Sequence, residues 1–460
     1  MEGISLEKDS IGKLLFKFSI PAVVGMLVNA LYGAVDTIFV GQFVGTNALA
    51  GVGVTFPITN TIMAVGMLVG IGAAARISIS LGQKKKYRAE KYLGNAVVLM
   101  IIGYAFVGII GKVMIYGILS YLELQPEVAE YARTFTDIML IGSIFQIMGL
   151  GLNNIIRSCG SPKIAMFTMI IGGITNIILD YIFIVPFKMG VSGAAWATII
   201  AQAVSCIWVT AYFFGKSSLL KMKLKNFKLS LNIVLLILSI GFAPFMLQMA
   251  GSLIQFILSR QIVYAYNSGE SDLVIGVMAV ISRLTIILLM PVFGVNQGAQ
   301  PIIGYNYGAK KYDRVKKTLK LAMIVSTILC VSSFIMLETM PKTLLGLFIS
   351  KNDTKALEIG VHAIRIYCLG FAVVGFQVIS SSFFQSIGKA AISMVLSMSR
   401  QIILLIPFLL ILPRFFGPEG IWISAPMSDG LAFMISMFMI KWEMNKLKKE
   451  EESLLLQQSI

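Results

Sequence analysis

The sequence predicts an all-α polytopic membrane protein with twelve transmembrane helices in two pseudo-symmetric six-helix bundles. Three observations carry that prediction. Of 460 residues, 57% are hydrophobic and only 13% charged, where a soluble domain carries ~25% charged residues. The apolar residues gather into twelve stretches, each long enough for the ~20 helical residues that a hydrocarbon core of ~30 Å requires. The second half of the chain also repeats the first.

Taken in order, the first segment, 14–40, follows the opening MEGISLEKDSIGKLLFKFSIP, whose acidic residues and long apolar continuation read as an uncleaved spanning helix and not a signal peptide. The second, 48–80, stops at the basic run from Lys84 to Lys91, and the third and fourth take 92–120 and 132–156. Segments five and six, 163–186 and 191–214, turn around Lys188 to Gly190. A lysine-rich linker, 215–231, leads into segments seven and eight, 232–266 and 273–306. Segments 318–348, 360–385, 390–413 and 418–441 complete the set. The domains expected are a first lobe at 1–214, the linker, a second lobe at 232–441 and a cytoplasmic C-terminal tail at 442–460.

Charge sets the orientation. Of the 38 basic residues, 26 fall on the side that precedes segment one and follows the even-numbered segments, including Arg157 and Lys163 after segment four. The other side holds six: Arg133, Lys188, Lys342, Lys351, Lys355 and Arg414. The positive-inside rule then puts both termini in the cytoplasm, and the formal net charge of +16 is a topology signal. A nucleic-acid partner would call for a basic face on a soluble fold, so none is expected. Outer-membrane barrels would show alternating ~10-residue strands, which are absent from the sequence. Cys159, Cys206, Cys330 and Cys368 lie inside apolar runs without paired spacing and are expected to pack as small hydrophobes. No Walker motif is present to bind ATP.

The repeat is legible residue by residue. Aligning GIGAAARISISLGQKKKYRAEK with NQGAQPIIGYNYGAKKYDRVKK superposes Gly72 on Gly298, Gly82 on Gly308, Lys84 on Lys310, Lys85 on Lys311 and Arg88 on Arg314, all at an offset of 226. Nearby, Pro21 meets Pro244, and Pro186, Gly190 and Gly193 meet Pro413, Gly417 and Gly420. An even number of helices per half makes the repeats parallel, an arrangement of transporters with a site between repeats. Gly70, Gly72 and Gly298 are read as points of close helix approach.

Acids inside a membrane are expensive and default to functional sites. Asp36 lies near the end of segment one, Asp180 late in segment five, Asp429 in segment twelve, and Asp137 near the start of segment four as an interfacial residue. Asn176 and Asp180 share one helix face at i, i+4. Asp180 and Thr198 each lie about nine residues from the turn between segments five and six, so both sit ~13 Å below the outer surface, and Asp36 falls in the same layer. Two carboxylates, an amide oxygen and a hydroxyl suit Na⁺ and equally suit a proton. The equivalents in the second half, at offsets of 223 and 227, are Ser259, Ile403, Pro407 and Ala425; a shared packing role would have kept polarity in both. Asp429 is left between a second ion or substrate counter-charge and a partner for Arg400 or Arg283. His362, the only histidine, belongs near the outer start of segment ten and is not assigned a proton relay.

The stretches FSIPAVVGMLVNALYGAVDTIFVGQFVGTNALAGVGVTFPI, NIILDYIFIVPFKMGVSGAAWATIIAQ and NQGAQPIIGYNYGAKKYDRVKK resemble the multidrug and toxic compound extrusion (MATE) family, nearest its MepA-type bacterial branch. The resemblance covers essentially the whole chain. It implies a transporter, not an enzyme: an antiporter that exports amphipathic, often cationic, compounds in exchange for H⁺ or Na⁺, without a cofactor. Asp36, Asn176, Asp180 and Thr198 match the first-lobe cation site of such members, and Pro21 matches the proline thought to let the first helix bend. Acids that other branches carry in helices seven and ten are missing from MAGSLIQFIL and FQVISSSFFQ. Asn29, Tyr32 and Asn153 are the matching substrate-cavity candidates. The expected partners are small amphipathic or cationic molecules and membrane lipids, and the expected state is a monomer in a bacterial or archaeal-type cytoplasmic membrane. An exporter of a lipid-linked or endogenous metabolite is the alternative on the same fold. An intramembrane hydrolase using both aspartates would leave the repeat unexplained.

Overall fold

The fold is described from a computed structural model, for residues 6–122, 125–216, 218–266, 270–349 and 353–458; Lys351, expected at the outer side, lies outside them, as do residues 1–5 and 459–460 of the expected domains. Every regular element is helical. Eleven helices are long and apolar enough to cross a membrane, and a bent pair, Thr354–Tyr367 with Phe371–Ser386, makes a twelfth crossing if counted as one span. The spans are Ile11–Phe39, Phe56–Gly82, Lys86–Leu122, Pro126–Ser158, Pro162–Ile184 and Gly190–Phe214 in the first half. In the second half they are Leu231–Ala265, Ser271–Gly308, Tyr312–Thr339, the bent pair, Ala390–Phe416 and Pro418–Gln458.

The repeat is written into the backbone of the turns. Lys84 and Lys310, both non-glycine residues with φ near +60°, occupy the same position of the two halves, as do Gly160 and Gly388 (φ +87° and +81°) and Gly190 and Gly417 (φ +60° and +58°). Equal turn geometry at equal spacing gives two bundles of like topology. They meet along a seam of glycines. A Cβ on Gly72 would lie 2.1 Å from the Ile237 carbonyl oxygen, and one on Gly298 would lie 2.7 Å from the Ser19 nitrogen; Gly82 and Gly308 face Tyr305 and Ile79 in the same reciprocal way. Gly70 approaches Gly151 inside the first lobe. The expected close helix approaches are therefore present, and those of Gly72 and Gly298 hold the lobes together.

Several boundaries differ from expectation. The stretch 48–80 breaks at Thr55 into a short helix, Thr46–Val54, and the span Phe56–Gly82, because Pro57 suits a first helical turn and not a helix interior. Segment nine ends at Thr339, ahead of Pro341. Segment four begins at Pro126, which puts Asp137 three turns inside the helix. The twelfth helix continues past 441 to Gln458, and the expected tail packs on the second lobe through Leu447, buried Glu443 paired with Lys389, and Glu451 paired with Lys316. The linker is docked as well. Asn95 hydrogen-bonds the carbonyls of Asn226 and Lys228 and the Ser230 amide, and Glu90 pairs with Lys223 at 2.6 Å. All four cysteines are buried thiols.

Candidate functional site

Two adjacent glycines build the site from the helix five side. Gly172 lets Ser205 and Ala201 of the sixth span come close, and Gly173 lets Val28 and Tyr32 of the first span do the same. One turn further on stands Asn176, and one turn beyond that Asp180. Helix one, which packs along helix five, supplies Asp36 at the point where its α-helical winding ends and the π-helical segment Val40–Val44 begins. Such widened turns recur at functional sites because the extra residue re-aims the side chains around it. Above the acids lies an apolar cap containing Val40, Ile184, Val191, Ala194 and Ala195.

The polar atoms beneath that cap are underpaired. Asp180 is fully buried and Asn176 is 1% exposed. Neither Asp180 oxygen has a hydrogen-bond partner, nor does Asp36 Oδ1 or Asn176 Oδ1. The Asn176 amide donates to Thr198 Oγ1 at 3.4 Å, which leaves its oxygen free. Asp36 is close enough for its charge to act on both Asp180 and Tyr32. Buried polar groups are almost always hydrogen-bonded, so four unpartnered oxygens on the first and fifth spans mark a candidate site. A cation bound among them would supply the missing partners, and a proton shared between the carboxylates would remove their repulsion.

The other sequence candidates fall elsewhere. Tyr32 lies against Gly173 beside the acids, whereas Asn29 is exposed. Asn153 is not brought to the acids: its amide donates to the Ala165 carbonyl at 3.0 Å, and it lines a cleft with Pro21, Ala22, Arg157 and Met169. Pro21 sits in the first helix between Ser19 and Val23, which touch Gly298 and Gly294; the proline is thus at the seam between lobes. Asp429 is paired with Arg400 at 2.6 Å. His362 contacts Glu419 at 2.7 Å.

Sequence reasoning misplaced Arg157. Counted there as a cation following helix four, it lies inside that helix and is 5% exposed. A small cavity of about 20 Å³ lies between the lobes, lined by Arg157, Asn154 and Ser158, by Ala74, Ala75 and Ser78, by Gln297, Gln300 and Pro301, and by Gln385 and Ser386. The repeat offset, which pairs Arg157 with Gln385, was the available signal.

The fold defines a multi-pass membrane protein of two like lobes, with a cluster of unpartnered buried oxygens in one of them. The MatE family model matches residues 21–182 and 244–411, one stretch in each half and starting at Pro21 and Pro244. The chain belongs to the MatE family. It is 24% identical to the multidrug export protein MepA of Staphylococcus saprophyticus, over 98% of each chain, and 23% identical to MepA of Staphylococcus aureus strain MW2, over 94% of each. An outward-facing multidrug resistance MATE family transporter superposes with a TM-score of 0.91 at 24% identity, over 97% of this chain and 99% of that one. A transporter of the same superfamily from Pyrococcus furiosus, described as having a binding pocket of reversed polarity, gives 0.90 at 23% identity over the same shares.

Proposed function

We propose that the protein is a cation-coupled antiporter that exports amphipathic, often cationic, compounds by alternating access, taking in H⁺ or Na⁺. The single observation that carries the coupling is the set of orphaned oxygens on Asp36, Asn176 and Asp180, whose counterparts in the second lobe, Ser259, Ile403 and Pro407, include no carboxylate or amide. The multidrug relatives support the cargo class. Asp36 and Asp180 bind the cation, and Asn176 and Thr198 complete it as neutral ligands. Loading removes the repulsion between helices one and five, repacks helix one about Pro21 and loosens the compound held near Tyr32 and Asn29. Rocking of the lobes then discharges the cation to the side of the basic loops, which is the cytoplasm. One inward charge releases ~2.3 kcal/mol per 100 mV, enough to sustain a roughly fifty-fold gradient of cargo per net charge moved. The protein works as a monomer in the cytoplasmic membrane, in contact with lipid.

The test is efflux of a fluorescent cationic dye from proteoliposomes, driven separately by a pH jump and a Na⁺ jump. Wild type responds to one of the two, which identifies the ion. Asp36→Asn and Asp180→Asn reduce driven efflux at least tenfold while keeping the thermal unfolding midpoint. Full driven efflux by both variants overturns the coupling assignment.

A further inference from the structure

We infer that the cavity between the lobes is an anion-binding site, centred on Arg157, for a carboxylate or phosphate-type group. Arg157 is almost wholly buried. Its Nη2 donates to Asn154 Oδ1 at 2.8 Å, and among the described residues no carboxylate pairs with it. A buried guanidinium with a single neutral acceptor leaves most of its charge and its donors uncompensated, which is costly unless an anion supplies both. Nothing in the cavity wall is acidic.

The symmetry of the wall strengthens the case. At the offsets of the repeat, Arg157 and Ser158 correspond to Gln385 and Ser386, while Ala74 and Ala75 correspond to Gln300 and Pro301, and all of these line this one cavity. It therefore lies on the pseudo-two-fold axis, where matched helices from both lobes face each other. Gln385 is occupied with Gln300 and the Ile240 carbonyl. The first lobe alone contributes charge, so the cavity is polar all round and positive on one side. Arg157 also forms part of the wall of the cleft that holds Pro21, so an anion here stands beside the helix-one proline. A guanidinium fork matches the paired oxygens of a carboxylate or phosphate. Such a group could arrive as a free anion or on a lipid headgroup. The inference is independent of cation coupling.

The full-length protein is reconstituted in neutral phosphatidylcholine nanodiscs, and thermal unfolding is followed against inorganic phosphate at constant ionic strength; a second series contains phosphatidic acid in place of free phosphate. Saturable stabilisation by the first probe identifies a free anion, and by the second alone a lipid headgroup. Arg157→Gln, the residue the second lobe carries at that position, weakens binding of the effective probe at least tenfold. Exposed Lys163→Gln, at the same end of the fold, leaves it unchanged. Should Arg157→Gln not fold, Arg157→Lys keeps the charge, loses the fork and weakens binding several-fold. No saturable response to either probe, unchanged affinity in the Arg157 variant that folds, or equal losses in the Arg157 and Lys163 variants overturns the assignment.

Discussion

Asp180 and Asp429 are both buried carboxylates, and their surroundings separate their roles. Asp429 has its counter-ion in Arg400, and Ser428 and Gln377 hydrogen-bond the backbone carbonyls of Arg400 and Asp429. Asp180 has no partner at either oxygen. The expected consequences differ accordingly. Arg400→Leu, which strands Asp429, should cost about 3–5 kcal/mol, seen as a lower thermal midpoint in detergent, and the double variant Arg400→Met with Asp429→Leu should recover most of it. On the proposed coupling, Thr198→Val removes one neutral ligand while both carboxylates stay; the concentration of coupling ion for half-maximal efflux should then rise about tenfold, as the loss of one hydrogen-bonding group implies, with stability unchanged.

At the scale of the element, helix one and helix eleven each carry a π-helical stretch, Val40–Val44 and Ser399–Leu405. The second one covers Ile403, the counterpart of Asn176, and Ile403 is 55% exposed where Asn176 is buried. An inserted residue turns the following face of a helix aside, so Ile403 does not take in the second lobe the buried place that Asn176 has in the first. The tenth span bends by 50° between Tyr367 and Phe371, where Gly370 packs so tightly that a Cβ would lie 2.6 Å from that of Asp429. The seam glycines give the sharpest prediction here. A methyl at Gly82 would lie 1.9 Å from the Tyr305 carbonyl oxygen and one at Gly308 2.1 Å from that of Ile79. Both neighbours are backbone and cannot step aside. Gly82→Ala and Gly308→Ala should part the lobes at the basic end, raising the thiol-labelling rate of a Ser78→Cys reporter in the inter-lobe cavity and costing about 1–3 kcal/mol of stability by overpacking.

The whole molecule is tied by two reciprocal straps. The segment before helix one is held by the second lobe: Arg314 donates to the Leu6 and Asp9 carbonyls, Asn306 to that of Leu6, and Lys311 pairs with Glu7 at 2.8 Å. The segment before helix seven is held by the first lobe through Glu90 and Asn95. Each lobe thus grips the entrance of the other's leading helix at the basic end. Lys311 beside Glu7 holds that carboxyl below its ordinary value of 4.5. A depressed carboxylate contributes fully above its unfolded pKa and loses its contribution as pH falls through the folded one. Limited proteolysis at the N-terminal strap should therefore proceed at one rate from neutral pH down to about 5 and accelerate only in stronger acid, whereas Arg314→Gln should accelerate it at neutral pH.

The sequence by itself determined the membrane class, the number of crossings and the repeat, and it singled out Asp36, Asn176, Asp180 and Thr198 as the candidate site. Hydropathy, turn chemistry and i, i+4 spacing are local properties, and a constant offset between halves survives without any knowledge of contacts. It placed Asp36, Asn176, Asp180 and Thr198 in one layer because depth in a spanning helix is a count of residues. Only the tertiary structure decided what each polar group meets. Arg157 read as a loop cation and is a buried one; Asp429 was open between roles and has a partner; Asn153 belongs to the Pro21 cleft; residues 442–458 read as a tail and are packed helix. Burial and pairing depend on which faces the lobes press together, and that is fixed by packing at glycines hundreds of residues apart, a property that no local pattern encodes.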